Sequence, residues 1–446
     1  MDNFFTKKYV ESTERNFIDG KLYEEHNVKR GLRNVNGTGV LVGLTKICEV
    51  HGYNIVDGKK VDDEGHLYYR GYDLNDLVNQ NYERYGFERI CYLILFGELP
   101  TDSELEEFKK TLANLYNLPR KFNTRVILEY PSKNLMNQLQ RNVLTLYIYD
   151  EDPDSTDPKV VLEKGVSLLA KMPALAVYTY YSKSHLIDEN SLIVHLPNKN
   201  YSIAENILHL LRKEDTFTKE EAQTLDLLLM IHADHGGANN STFTNIVVSS
   251  TATDFYSSVS AALGSLKGPL HGGASKEVDD MFKAVIKKIG INATDNTITK
   301  IVNDLLDKNF YDKKGLIYGL GHAVYTKSDP RAELLRTKCK ELAISKGEGK
   351  RFDFYYRFEK IAIRELKKRK GENFNVCANV DFYSGLTYRL LDIPEELCTP
   401  IFATARMVGW VAHNIENKLY CSRMIRPAAL YVGEFRKIGE KKWFMI

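Results

Sequence analysis

The chain is poor in the features that define several common protein classes. Its six cysteines, Cys48, Cys91, Cys339, Cys377, Cys398 and Cys421, are scattered over 446 residues with no CxxC spacing. That pattern reads as reduced intracellular thiols, not as a disulfide frame or a thiolate zinc site. No run of 18 apolar residues occurs. The opening segment MDNFFTKKYVESTERNF has neither an apolar signal core nor Arg-rich, acid-poor transit composition. The expectation is a cytoplasmic protein with no membrane span. An excess of one charge is also missing. Lys+Arg 61 against Asp+Glu 59 leaves +2, which gives no electrostatic reason for a nucleic-acid partner. There is no GxGxxG, no GxxxxGK[ST], no HExxH, no solenoid repeat and no low-complexity tract.

What is present is a helical chain of mainly α class, too long for a single core. Residues 1–40 read as a helix and a loose connector. Residues 41–72 read as a small β-hairpin whose turn chemistry lies in VDGKKVDDEG, followed by a helix capped by Asp73. RICYLILFGELP reads as a helix ending at Pro100, with Thr101 or Asp102 capping the next. Pro173 in VSLLAKMPALAVYTYYSK marks a kink or a break. EEAQTLDLLLMIHADHGG reads as a helix ending near His235, and DFYSSVSAALGSLKG as a buried helix ending before His271. Four shorter, more charged helices follow, from KEVDDMFKAVIKKIG to YYRFEKIAIRELKKRKGE. This shift in composition marks a second, smaller domain.

Three of the eleven histidines stand against glycine, in HADHGG, GPLHGGAS and YGLGHAVYTKSDPR, and an aspartate stands in NVDFYSG. Glycine lets backbone approach a small ligand, and histidine protonation is readily set near neutral pH. His232, Asp234 and His235 form an HxDH spacing that could ligate a metal or simply supply polar core groups. His271 stands either on a ligand-facing loop or in an ordinary glycine-rich turn. Asp329-Pro330-Arg331 reads as a helix N-cap and first turn, which places Arg331 where anions are favoured. Asp381 follows an apolar run, so it either caps the next helix or is buried for a purpose. Arg406 lies inside the apolar IFATARMVGWVAH, and Arg426 precedes proline in IRPAA.

These segments, in identity, order and spacing, resemble the citrate synthase family over about residues 41–435. The resemblance implies a mainly α, two-domain helical homodimer with a small N-terminal β-hairpin. A large domain would comprise residues 1–275 and 385–446, and a small domain 276–384. It implies a catalytic triad of His271, His322 and Asp381. Oxaloacetate would be held by His235, His322, Arg331 and Arg406, with Arg426 reaching across the dimer interface. Coenzyme A would lie along Leu316, Ile317, Gly319, Leu320 and Gly321. Relatives often carry a basic residue at the position of Thr326, so Lys327 is the substitute for contacting CoA phosphate. No cofactor or metal is implied, with acetyl-CoA entering as substrate. A site for inhibition by NADH, known in some bacterial relatives, is not placed.

The reaction so implied is condensation of acetyl-CoA with oxaloacetate to citrate and CoA. Asp381 would take the methyl proton, neutral His271 would stabilise the enolate, and His322 would donate to the ketone oxygen. The helix-terminal placement of His271 is expected to keep its ring neutral. A 2-methylcitrate synthase using propionyl-CoA shares the same groups. Rival readings of other classes are a metal-dependent hydrolase built on HADH and a non-catalytic acyl-CoA-binding protein.

Overall fold

The computed structural model describes residues 2–80, 83–421, 423–435 and 438. It is dominated by helices, with one three-stranded antiparallel sheet in the order β1-β2-β3. Two compact units emerge. One comprises Met1–Val42 with Ile425–Ile446, the other Gly43–Met424. The first contains helices Asp2–Arg15 and Lys21–Glu25 and a short 3-10 turn at Arg30–Leu32.

In the second unit the expected hairpin is formed by β1 (Cys48–Val56) and β2 (Lys59–Tyr69), joined through Asp57 and Gly58 at φ 50° and 74°. Left-handed backbone at both central residues is the tight turn whose twist suits antiparallel strands. The turn is therefore shorter than VDGKKVDDEG, because Lys59–Asp62 already pairs with β1. A two-residue β3 (Tyr72–Asp73), not anticipated, completes the sheet. Asp73 caps the next helix as expected, accepting from Asn75 N at 2.8 Å, and its other oxygen bonds His66 Nδ1.

Helix Gly86–Phe96 stops earlier than Pro100, because Gly97 takes φ 94°. Thr101, not Asp102, caps helix Asp102–Leu115 in a reciprocal box with Glu104. Helix Pro158–Leu186 runs unbroken through Pro173, with much of its length buried. Packing on both sides outweighs the single hydrogen bond that proline removes. Against it lies helix Cys398–Tyr420. A Cβ at Gly165 would fall 2.4 Å from Val411 Cγ1, so the absence of a side chain there sets how closely the helices approach.

Helix Lys219–His232 ends three residues before His235, and helix Phe255–Leu266 ends before His271. The four charged helices are Ala274–Ile289, Asp295–Leu306, Pro330–Ser345 and Gly349–Lys370. They pack on one another and on helix Asp381–Leu390. Among the described residues no helix is long and apolar enough to cross a membrane.

Candidate active site

His235, His322, Arg331, Arg406, His271 and Asp381 come from five stretches of chain, and the fold joins them through rings and charge. His235 follows the end of its helix by three residues. Its ring lies 5.3 Å from that of His322 and 5.9 Å from that of Tyr325. Its Nε2 is buried with no hydrogen-bond partner among the described residues. Burial first, then the charge of Arg331, holds this imidazole well below its usual pKa, so it is neutral.

The loop carrying His322 is fixed by glycine and by pairing. Gly319 and Gly321 adopt φ 85° and 89°, where side chains are strained. A Cβ at Gly319 would fall 3.0 Å from the Phe382 Cα. The loop bridges the segment before Asp381. Gly321 N donates to Cys377 O at 2.9 Å, Asn379 N to Gly319 O at 2.9 Å and Asn379 Nδ2 to Gly321 O at 2.9 Å. His322 Nδ1 accepts from Val324 N and Tyr325 N at 3.1 Å each. A ring nitrogen accepting two N–H groups carries no proton, so in the neutral ring the proton is assigned to Nε2. Tyr325 stacks on the imidazole at 4.9 Å between centroids.

Asp381 is the first residue of its helix, and its backbone N–H donates to Asn379 Oδ1 at 3.0 Å. The capping role weighed for Asp381 thus falls to Asn379. The carboxyl remains in a poorly solvated site that pushes its pKa up to about 6. The Arg331 charge and a Ser275 hydrogen bond act in the opposite direction.

Arg331 is buried, and Asp329 does cap its helix. Asp329 Oδ1 accepts from Arg331 N at 3.0 Å, while the carboxylate takes Nε at 3.0 Å and Nη2 at 2.8 Å. Two of the three guanidinium nitrogens are therefore already held, and the charge stays in the site. Arg406 Nε donates to His232 O at 2.9 Å, its guanidinium lies 4.8 Å from the Phe402 ring centroid, and Nη1 is buried without a partner among the described residues.

His271 Nε2 lies 3.0 Å from Ser241 Oγ, which also accepts from Trp410 Nε1 at 3.3 Å. Its pKa is lowered to about 4, by burial first and by Arg406 second. The neutral ring expected from a helix terminus is thus produced by desolvation and a neighbouring cation. Gly272 allows the loop to fold back, since a Cβ there would meet Leu266 O at 2.3 Å.

The HxDH ligand reading does not hold in the structure. His232 Nδ1 bonds Leu228 O at 2.7 Å, and Asp234 Oδ2 bonds His413 Nε2 at 2.9 Å. Among the described residues the acidic and histidine groups that converge as ligands are Asp279, Asp280 and Glu395, with lysines bonded among them. Sequence reading missed Asp234 as the buried anion facing Arg406, and missed Ser241, Tyr325, Asn379 and His413 as supports. Only Asp234 carried a signal, as an acid between two histidines.

On the expected CoA stretch, Leu316 is half exposed, Ile317 is buried, Leu320 bridges Ala378 and Lys327 is exposed. The Thr326 hydroxyl is buried without a partner among the described residues. Arg426 is exposed and belongs to the other compact unit.

The family profile described as "Citrate synthase, C-terminal domain" matches residues 32–428. The citrate synthase of Haloferax volcanii is 36% identical over 412 residues, covering 91% of this chain and 96% of that protein. The 2-methylcitrate synthase of Shewanella oneidensis is 32% identical over 368 residues, covering 82% and 88%. Among solved structures, the ternary complex of Thermoplasma acidophilum citrate synthase with carboxymethyl coenzyme A and oxaloacetate superposes with TM-score 0.74 at 26% identity, covering 92% and 97%. Fold and relatives together define an enzyme of the acyl-transferring, condensing type. The chain belongs to the citrate synthase family.

Proposed function

We propose that the chain condenses acetyl-CoA with oxaloacetate and hydrolyses the resulting citryl thioester to citrate and CoA. The observation that carries this reading is His322. Its Nδ1 accepts from two backbone N–H groups, which assigns the ring proton to Nε2, and its ring lies 5.3 Å from that of His235, whose own imidazole feels the charge of Arg331.

Asp381, with its pKa pushed up to about 6, is a stronger base than an ordinary carboxylate and is ionised at neutral pH. It removes a methyl proton from the thioester. His271, neutral above about pH 4, donates to the developing enolate oxygen. This requires Ser241 to give its hydroxyl proton to Nε2, so that the ring proton lies on Nδ1. A preorganised donor of this kind is worth about 3–4 kcal/mol in the transition state. The enolate carbon attacks the ketone of oxaloacetate, while His322 Nε2–H neutralises the alkoxide. Arg331, Arg406 and Arg426 of a second copy grip the two carboxylates, each pair contributing roughly 1.5–3 kcal/mol. CoA lies along Leu316–Gly321 with Lys327 at its phosphates. The helices of residues 276–384 form a small domain that closes on the large one and excludes water before deprotonation. The active form is a homodimer in the cytoplasm, without a metal or resident cofactor.

The 32% identical 2-methylcitrate synthase favours a second reading in which propionyl-CoA is the acyl donor. One experiment tests both: thiol release from acetyl-CoA and propionyl-CoA with a panel of 2-oxo acids. The proposal expects release that depends on oxaloacetate, with higher kcat/KM for acetyl-CoA. A strong preference for propionyl-CoA selects the second reading. Release independent of any 2-oxo acid and abolished by chelation would return the hydrolase.

A further inference from the structure

The β1–β2 hairpin holds none of the groups assigned above, yet it touches the His322 loop directly. Gly65 N donates to Ser328 Oγ at 2.9 Å, and Ser328 Oγ donates to Glu64 Oε2 at 2.5 Å. Tyr325 Oη donates to His66 O at 3.2 Å. Asn375 Nδ2, a few residues before Asp381, donates to Asp62 Oδ2 at 3.0 Å. The approach is closer than side chains allow. A Cβ at Gly65 would stand 2.1 Å from Ser328 O and 2.8 Å from Tyr325 Cδ1, and a Cβ at Gly52 2.8 Å from Val324 O. Gly52 lies at the register shift in β1 between His51 and Tyr53. Two backbone surfaces are therefore in contact through glycine, with no compressible side chain between them.

The residues the hairpin touches are those that aim the site. Val324 and Tyr325 supply the N–H groups on His322 Nδ1, and Tyr325 stacks on its ring. Ser328 immediately precedes Asp329, which holds the Arg331 guanidinium. We propose that the β1–β2 hairpin is a positioning element of the condensing site. It acts through Gly65 and Ser328 on the backbone that directs His322 Nε2 and Arg331 at the 2-oxo acid. This rests on the function proposed above. The Ser328 hydroxyl is the most testable link, because it joins Gly65 and Glu64 to the loop while adding almost no volume.

The experiment uses the full-length chain with Ser328→Ala, Ser328→Thr and Gly65→Ala. Each variant is assayed with oxaloacetate and acetyl-CoA varied in turn, alongside Tm and the histidine 1H–15N spectrum of the ligand-free protein. Ser328→Ala should lower kcat/KM for oxaloacetate about tenfold. The KM for acetyl-CoA should stay within about twofold, Tm should be nearly unchanged, and the His322 ring resonances should move. Ser328→Thr should restore all of these. Gly65→Ala should show the same pattern more severely, and if it does not fold, Ser328→Ala decides. Wild-type kinetics and ring shifts in Ser328→Ala, or losses for both substrates that follow Tm, would overturn the proposal. If the wild type releases no CoA with any 2-oxo acid, the reaction itself is wrong. The His322 resonances then judge positioning alone, and no change between wild type and Ser328→Ala rejects it.

Discussion

At the scale of residues, burial rather than local sequence sets the chemistry. Asp381 was legible as an acid after an apolar run, but whether it capped a helix could not be read, because that depends on where its carboxyl packs; it proves to be the first residue of the helix, with its own N–H donated to Asn379 Oδ1. Its pKa near 6 has two consequences. The acid limb of the kcat profile should fall with an apparent pKa of about 6, and a limb near 4 would refute Asp381 as base. Its folded pKa is raised above the unfolded value, so its contribution to stability is present below about pH 4 and is lost as pH rises through 6. Asp381→Asn should therefore lose at least ~10³ in kcat. It should still bind oxaloacetate, and it should unfold at higher temperature than wild type at pH 8. The gain is on the order of 2–3 kcal/mol and vanishes near pH 4. Arg406→Leu should raise the oxaloacetate KM by roughly 10–100-fold, since a charged hydrogen-bond donor is lost. An unchanged KM would remove Arg406 from the site.

At the scale of elements, the loops matter more than the helices they join. Helix positions were readable from apolar periodicity and capping residues such as Asp73 and Thr101. The ends at Phe96 and His232 were misplaced because Gly97 and the turn after His232 act through backbone geometry, not composition. Of the kink or break read at Pro173, the break does not occur. The proline is a local signal overridden by packing along a buried helix. Gly319 shows what a loop glycine can carry. Its φ of 85° and the 3.0 Å approach to Phe382 Cα leave no room for a methyl. Gly319→Ala should cost about 1–3 kcal/mol of stability and reduce turnover by displacing His322. Circular dichroism melting and the CoA-release assay would check both, and a variant with normal Tm and rate would contradict the role of the loop.

At the scale of the whole molecule, buried charge couples folding to pH. Three helices meet where Glu88 accepts from Ile203 N at 2.7 Å and Asp226 accepts from Gly86 N and Phe87 N at 2.8 and 3.1 Å. Burial, with Asp226 adding to it, pushes Glu88 up to about 8. A raised folded pKa means stability is lost as pH climbs from about 4.5 through 8. Glu88→Gln should match or fall below wild type in Tm at pH 5 and exceed it at pH 9. A difference independent of pH would show that Glu88 does not hold a proton in the folded state.

The sequence alone determined the mainly helical class, the hairpin, the caps and the four polar segments, because these depend on residue type and short-range spacing. It also carried the family resemblance, since identity and order of motifs are linear properties. Only the tertiary structure decided which nitrogen of His322 bears the proton and that Asn379 relieves Asp381 of capping. It alone showed that His271 is neutral through burial beside Arg406, and that the hairpin backbone presses on the loop carrying His322. The first two turn on local backbone geometry and the last two on distance and desolvation between groups far apart in the chain, and all of these come into existence only when the chain is packed.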